Sequence, residues 1–290
     1  MLNIPEYEEG KKYLVVAGCS FTAPTNQWPE TNLPNDGTSN SWGEHTADEL
    51  DMVCINAAFS GVGNNMIMRQ VLYTLSRMFE MGYPTSAITV GVMWSGYDRT
   101  EIYKHDWEPK IGAKGVPFQP RRPIKDSNGE WIPFNPATVS YIEEQLDSKT
   151  PFVKFNPKAR EYVEIGKSIY FKTWANEVQR IIHSLQCVMG TQEFLINRNI
   201  KYFFHRYVED CFSEQSEVYQ DPEISWISNL INWEKFIPSG EFEWCYENTK
   251  TKFIEETRLG WDRKHNIMHP TVIQHKKYAE EMVVPFIKNL

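Results

Sequence analysis

No apolar run in this chain approaches the ~18 residues that cross a bilayer as a helix, and Met1-Leu2-Asn3-Ile4-Pro5 is not a charged leader followed by an apolar stretch. These absences predict a soluble protein without a Sec-type signal, in a cytoplasmic setting and without a membrane partner. Basic charge is also short: 30 Lys and Arg stand against 38 Asp and Glu, a net charge of −8, and no block of basic residues is suited to gripping phosphates. Nucleic acid is therefore not an expected partner. The cysteines (Cys19, Cys54, Cys187, Cys211 and Cys245) are odd in number, widely spaced and without a CxxC pair, which fits neither a disulfide framework nor a zinc site. Reduced thiols are the expectation. No His, Asp or Glu cluster has metal-ligand spacing, and Gly61-Val62-Gly63 lacks the third glycine of a dinucleotide fingerprint. Neither a metal nor an organic cofactor is expected.

What is present is material for a large core: 290 residues with 41% hydrophobic content. Four short apolar runs, Tyr13 to Ala17, Met52 to Ala57, Ala87 to Trp94 and Ile200 to His205, read as buried parallel strands. Helical patterns separate them. Trp42 to Leu50 is short. Asn64 to Met81 carries Ile67, Val71, Leu75 and Met78 on one face, and Ser168 to Asn197 carries Trp174, Val178, Ile181, Ile182, Leu185 and Val188. Strands alternating with helices predict an α/β fold, a parallel sheet covered on both faces. Residues 104–165 break the pattern, with six prolines between Pro109 and Pro136 and the turn signal Ser127-Asn128-Gly129, and read as an insertion or lid after the third strand. A second irregular segment spans 211–258. With no repeat and no linker, residues 1–290 are expected to form one elaborated domain.

The chemistry starts at Gly18-Cys19-Ser20-Phe21, where a buried strand ends and a hydroxyl is presented at the sheet edge. A serine hydroxyl needs a base to take its proton as it attacks a carbonyl. His269 has the most telling context of the seven histidines. Pro270 suits a first helical position, and Val272, Ala279, Met282, Val283 and Phe286 continue one helical face. Between these segments, Asn56-Ala57-Ala58-Phe59-Ser60-Gly61-Val62-Gly63-Asn64 leaves the second strand through glycines, and glycine lets a backbone N–H approach an oxyanion closely. Plainer readings stand beside each: Ser20 in an ordinary turn, His269 as a helix cap, the glycines as a plain turn. His45 reads as a packing or surface residue, and Cys19 has no neighbour in sequence that would lower its pKa.

Together these blocks resemble the SGNH hydrolases, the superfamily of GDSL-type esterases, over residues 12–100 and 262–290. The resemblance implies a flavodoxin-like three-layer sandwich around a central parallel sheet of about five strands. It carries the nucleophile role onto Ser20 and the base role onto His269, whose His-Pro-Thr is followed by Gln274-His275 and Ala279. It places oxyanion donors at the Ser20 and Gly61 backbone N–H groups. Three departures follow. Cys19 stands where the family has Asp. Asn266 stands three before His269, where the family has the orienting Asp, with Asp262 as the alternative. No Asn follows the third strand in Val92-Met93-Trp94-Ser95-Gly96-Tyr97-Asp98-Arg99, so Ser95 or Asn64 is the substitute oxyanion donor. Arg99 reads either as a binder of an anionic substrate or as an ion-pair partner of Asp98 or Glu101.

The expected function is that of a serine ester hydrolase removing O-acyl, chiefly acetyl, groups from a carbohydrate through an acyl-serine intermediate. The alternative is a catalytically degraded SGNH-fold binding or structural module. Trp107, Trp131 and Trp244 serve either reading, as sugar-facing aromatics or as core. The chain is also similar to SGNH-like proteins of large tailed bacteriophages, which implies a virion setting as the second localisation. The expected partners are a small-molecule or carbohydrate ester substrate and either a second copy of the chain or a virion assembly.

Overall fold

In the computed structural model the apolar runs of Val, Ile and aromatic residues become parallel strands: β1 (Tyr13–Ala17), β2 (Val53–Asn56), β3 (Ile88–Trp94) and β6 (Lys201–Arg206). The residues described are 4–23, 41–59, 61–97, 99–105, 129–134, 157–168, 176–208, 217–245, 247–248, 261–262, 267–268, 270 and 272–290, with the backbone alone at 100–105, 129–134, 157–162, 217–218, 261–262 and 267–268. Every residue of β1 and β3 is buried, which is why both strands read as continuous apolar runs rather than alternating ones. The strand order is β2-β1-β3-β6, all parallel, with Tyr13 opposite both Val53 and Ile88, and Thr89 opposite Lys201. This is the doubly wound order in which the chain leaves the first strand in one direction and later returns in the other.

The central sheet, expected to have about five strands, has four among the described residues. At the fifth position, beside β6, Phe204 and Phe236 form a single parallel bridge, and the Ile237 N–H donates to the Phe204 carbonyl at 2.8 Å. Pro238 follows at once, a residue without an N–H to extend such a ladder.

Helices α1 (Trp42–Glu49) and α2 (Asn64–Glu80) link β1 to β2 and β2 to β3. These crossovers step in opposite directions, so a common right hand places them on opposite faces of the sheet. On one face, α1 packs against the C-terminal helix, and Gly43 lies so close to Val16 that an added Cβ would meet its methyl at 2.7 Å. On the other, α2 packs against α4 (Glu177–Asn197), whose Leu185, Val188 and Leu195 are fully buried. Before α4 lies α3 (Pro157–Ser168). The helix expected over Ser168 to Asn197 instead begins at Glu177, where the Asn176 side chain accepts the Gln179 N–H, and Ser168 ends the preceding helix; Trp174 lies outside the described residues.

The segment expected to be an insertion, 104–165, contains regular structure that its prolines do not predict. β4 (Thr100–His105) and β5 (Gly129–Phe134) pair antiparallel, with Tyr103 opposite Trp131 and Glu101 opposite Pro133. The irregular segment likewise contains α5 (Pro222–Ser228), capped by the Asp221 carboxylate on the Glu223 N–H at 2.8 Å, and a helical turn over 241–245. Trp244 there is core, 6% exposed and in ring contact with Tyr278.

Near the C-terminus, β7 (Trp261–Asp262) pairs antiparallel with β8 (Ile267–Met268). Helix α6 (Val272–Tyr278) runs through a π-helical turn, Ala279–Val283, into α7 (Val284–Lys288). Pro285 explains the irregularity: it has no N–H for the preceding turn, and its ring would press on the carbonyl four residues back, so the helix widens ahead of it. No helix among the described residues is long and apolar enough to cross a membrane.

Candidate functional site

Three loops leave the carboxyl ends of β1, β2 and β3 at one edge of the sheet, and backbone chemistry joins them. After β1 the chain makes a tight turn in which the Thr22 and Ala23 N–H groups both donate to the Cys19 carbonyl at 3.0 Å. Ser20 stands in this turn and is 8% exposed; Cys19 is fully buried. The turn has no room for a side chain at its first residue: a Cβ on Gly18 would lie 2.3 Å from Thr22 Oγ1 and 3.1 Å from the Met93 carbonyl. The loop after β2 is laced to it, because the Phe59 N–H donates to the Gly18 carbonyl at 3.0 Å and the Ala57 N–H to the Val16 carbonyl at 2.8 Å. Gly61, further along that loop, has φ of +80°, a left-handed conformation that glycine alone adopts cheaply. Ser60 lies outside the described residues.

The third loop is fastened by Asn64 at the start of α2. Its Oδ1 accepts the Ser95 N–H at 2.8 Å and its Nδ2 donates to the Ser95 carbonyl at 3.0 Å and to Ser184 Oγ at 3.1 Å. Both amide hydrogens are thus engaged, and neither is left for a substrate in this arrangement. Ser95 is wholly buried, and its Oγ has no hydrogen-bond partner among the described residues. Close packing continues beside it, where a Cβ on Gly63 would meet the Arg99 carbonyl at 2.6 Å. The Arg99 guanidinium lies 5.1 Å from the centre of the Tyr207 ring, which also packs on Phe21 with ring centres 5.1 Å apart.

Beneath the loops lies a polar joint that the motif reading missed. The Asn56 Nδ2 donates to the Thr22 carbonyl and to Glu44 Oε1, each at 2.8 Å, and lies 3.3 Å from Ser41 Oγ; its Oδ1 accepts the Ala58 N–H at 2.9 Å. Glu44 in turn accepts from the Ser41 N–H at 2.9 Å and the Ser41 hydroxyl at 2.6 Å, closing a capping box on α1. Trp42 Nε1 donates to Thr22 Oγ1 at 3.1 Å. The Ser-x-x-Glu spacing of Ser41 and Glu44 was the available signal for half of this joint; its connection to Thr22 through Asn56 had none.

On the α1 face, His275 and Glu241 form a pair at 2.6 Å, with side chains 2% and 0% exposed. Burial pushes the Glu241 carboxyl up, opposed by the adjacent His275. Tyr278 Oη donates to the Ser239 carbonyl at 3.3 Å and lies 3.3 Å from His205 Nδ1. That donation assigns the proton of the second contact to His205 Nδ1 and leaves Nε2 as a bare acceptor. Burial alone holds His205 well below the usual imidazole range. His45, half-buried on α1, is also lowered, first by burial and then by His275. Among the described residues no group of three His, Cys, Asp or Glu side chains is placed to hold a metal ion.

The structure therefore brings the residues Ser20, Gly61, Asn64 and Ser95 to one sheet edge on three joined loops. Asp262 is described in its backbone only, paired with Ile267; Asn266, His265, His269 and Asp98 lie outside the described residues, as do Trp107 and Cys211. What can be read is the direction of the helix that follows His269. His275 meets Glu241, whose neighbour Phe242 bonds the Tyr207 carbonyl just beyond β6, whereas Phe286 faces Phe203 deeper along that strand. Helices α6 and α7 thus run against β6, with their first turn towards the carboxyl edge. Pro270 is buried.

No protein-family model matches the chain, and no curated protein matches it. Among solved structures, it is similar to a candidate GDSL-like lipase from Parabacteroides merdae ATCC 43184, at 10% identity and a TM-score of 0.36, over 95% of this chain and 96% of the other. A likeness at that level says nothing about chemistry.

Proposed function

We propose that the protein is a serine ester hydrolase that removes O-acyl groups, acetyl in particular, from a carbohydrate. The observation that supports it most is the meeting of the Ser20 turn with the Gly61 loop at the carboxyl edge of a parallel sheet, where doubly wound folds keep their ligands. In this reading His269 takes the Ser20 hydroxyl proton as Oγ bonds to the acyl carbon, and the carbonyl electron pair moves onto oxygen. The Ser20 and Gly61 backbone N–H groups stabilise that oxyanion, with Ser95 Oγ as the further donor. Collapse expels the alcohol, which takes the proton from His269. Water, deprotonated by the same imidazole, then releases the acid and restores Ser20. Asp262 or Asn266 orients His269. Asn64 acts at one remove, by holding Ser95.

The experiment is labelling with a fluorophosphonate, read by mass spectrometry, alongside hydrolysis of p-nitrophenyl acetate. The expected result is labelling at Ser20, abolished in Ser20→Ala, with hydrolysis falling about 10³-fold or more in Ser20→Ala and His269→Ala. A folded protein that is not labelled, or that hydrolyses the ester equally well without Ser20, sinks the proposal.

The second reading, a binding or structural module without catalysis, is favoured by burial. Ser20 is 8% exposed and Ser95 fully enclosed, and the Asn64 amide is spent on the Ser95 backbone and the Ser184 hydroxyl. Absence of Ser20 labelling in the folded protein is its expected outcome.

A further inference from the structure

We propose that Asn56 is the positioning residue of this site, a single carboxamide that holds the nucleophile turn and the oxyanion loop in register. The inference rests on the esterase reading for its catalytic meaning and on geometry alone for the clamp. Asn56 is the last residue of β2, so its side chain emerges between two loops that each carry part of the chemistry. To one side it donates to the Thr22 carbonyl at 2.8 Å, two residues past Ser20. To the other it accepts the Ala58 N–H at 2.9 Å, three residues before Gly61. Its second amide hydrogen is taken by Glu44 Oε1 at 2.8 Å, at the N-terminus of a helix whose Trp42 also holds Thr22.

The residue type is specific. The two donors face a carbonyl and a carboxylate, while the acceptor faces an N–H, and only a carboxamide satisfies all three at once. An aspartate of the same shape keeps the Ala58 bond but sets negative charge against Glu44 and the Thr22 carbonyl. Asn56 touches no reacting atom in this scheme. It acts by keeping Ser20 Oγ and the Gly61 N–H at a fixed separation, and a misplacement of about 1 Å at such a site costs on the order of 10²-fold in rate.

The test uses the full chain and two readouts. The rate constant for fluorophosphonate labelling of Ser20 is expected to fall at least about tenfold in Asn56→Asp. It should recover in part in Asn56→Asp/Glu44→Gln, because the carboxamide introduced on α1 then donates to the new carboxylate on β2 while its oxygen keeps the Ser41 cap. Hydrogen exchange by mass spectrometry should show peptides covering 18–23 and 57–63 losing protection together in Asn56→Asp, with the peptide covering 88–94 unchanged and protection regained in the double variant. Unchanged exchange in those two segments, or exchange that rises throughout the chain without rescue, overturns the clamp whether or not the wild-type protein is labelled. Joint loss of protection with unchanged labelling overturns the positioning role, and failure of the wild type to label counts against the esterase reading while the exchange result still decides the clamp.

Discussion

Gly18 has a cost of substitution that can be stated at the scale of single atoms. The Cβ of alanine would stand 2.3 Å from Thr22 Oγ1 and 2.8 Å from Thr22 Cβ, far inside van der Waals contact. Thr22 cannot simply rotate away, since its hydroxyl oxygen receives the Trp42 indole and its backbone closes the turn onto Cys19. Gly18→Ala is therefore expected to destabilise the fold by about 1–3 kcal/mol, the usual range for overpacking, read as a lower urea midpoint with an unchanged m-value. Because the same turn carries Ser20, the variant should also slow fluorophosphonate labelling in the fraction that remains folded.

Among the elements, α1 serves both fold and candidate site through its ends and faces. It is short, eight residues, and its stability leans on the capping box and on the buried Trp42 rather than on length. Ser41 satisfies the Gly43 N–H, donates to Glu44 and lies beside the Asn56 amide. Ser41→Ala is expected to cost about 1 kcal/mol, typical for loss of an N-cap, measured by chemical denaturation. The loss should be accompanied by faster exchange in the Thr22 turn, which a cap acting only on its own helix would not produce. The strands present a contrast. β1 and β3, buried along their whole length, were readable as apolar runs to within a residue of their ends, whereas the β4–β5 pair was not, because Pro133 and its polar residues satisfy no simple periodicity.

For the molecule as a whole, buried histidines set a pH dependence. His205 is held well below its ordinary value by burial, and burial also lowers His45 and His183. The unfolded chain protonates these side chains near pH 6.5 while the native one does not, so below that pH the unfolded state binds more protons. Their stabilisation is complete above about pH 6.5 and is lost as pH falls, by up to about 1.4 kcal/mol per pH unit for each proton. Glu241, raised by burial despite the opposing His275, contributes with the opposite sign above the ordinary carboxyl range. The expected result is that His205→Phe flattens the fall in unfolding free energy between about pH 6.5 and 5, whatever it does to the absolute value. An unchanged slope would show that His205 titrates normally in the folded protein.

The amino-acid sequence alone determined the alternation of strand and helix, the parallel sheet and the placement of Ser20 and Gly61 on loops leaving strand ends. Those features are local: they follow from apolar runs, helical spacing and the few residues that tolerate a tight turn. Tertiary structure alone decided that Asn64 spends its amide on Ser95 rather than offering it outward, that Asn56 ties the Thr22 turn to Glu44, and that His275 meets Glu241. Each of those pairings joins groups 12 to 34 residues apart along the chain. Hydrogen bonds of this kind form because burial removes water and leaves a polar group only the partners that packing places beside it, and no periodicity in the sequence encodes which partner that is.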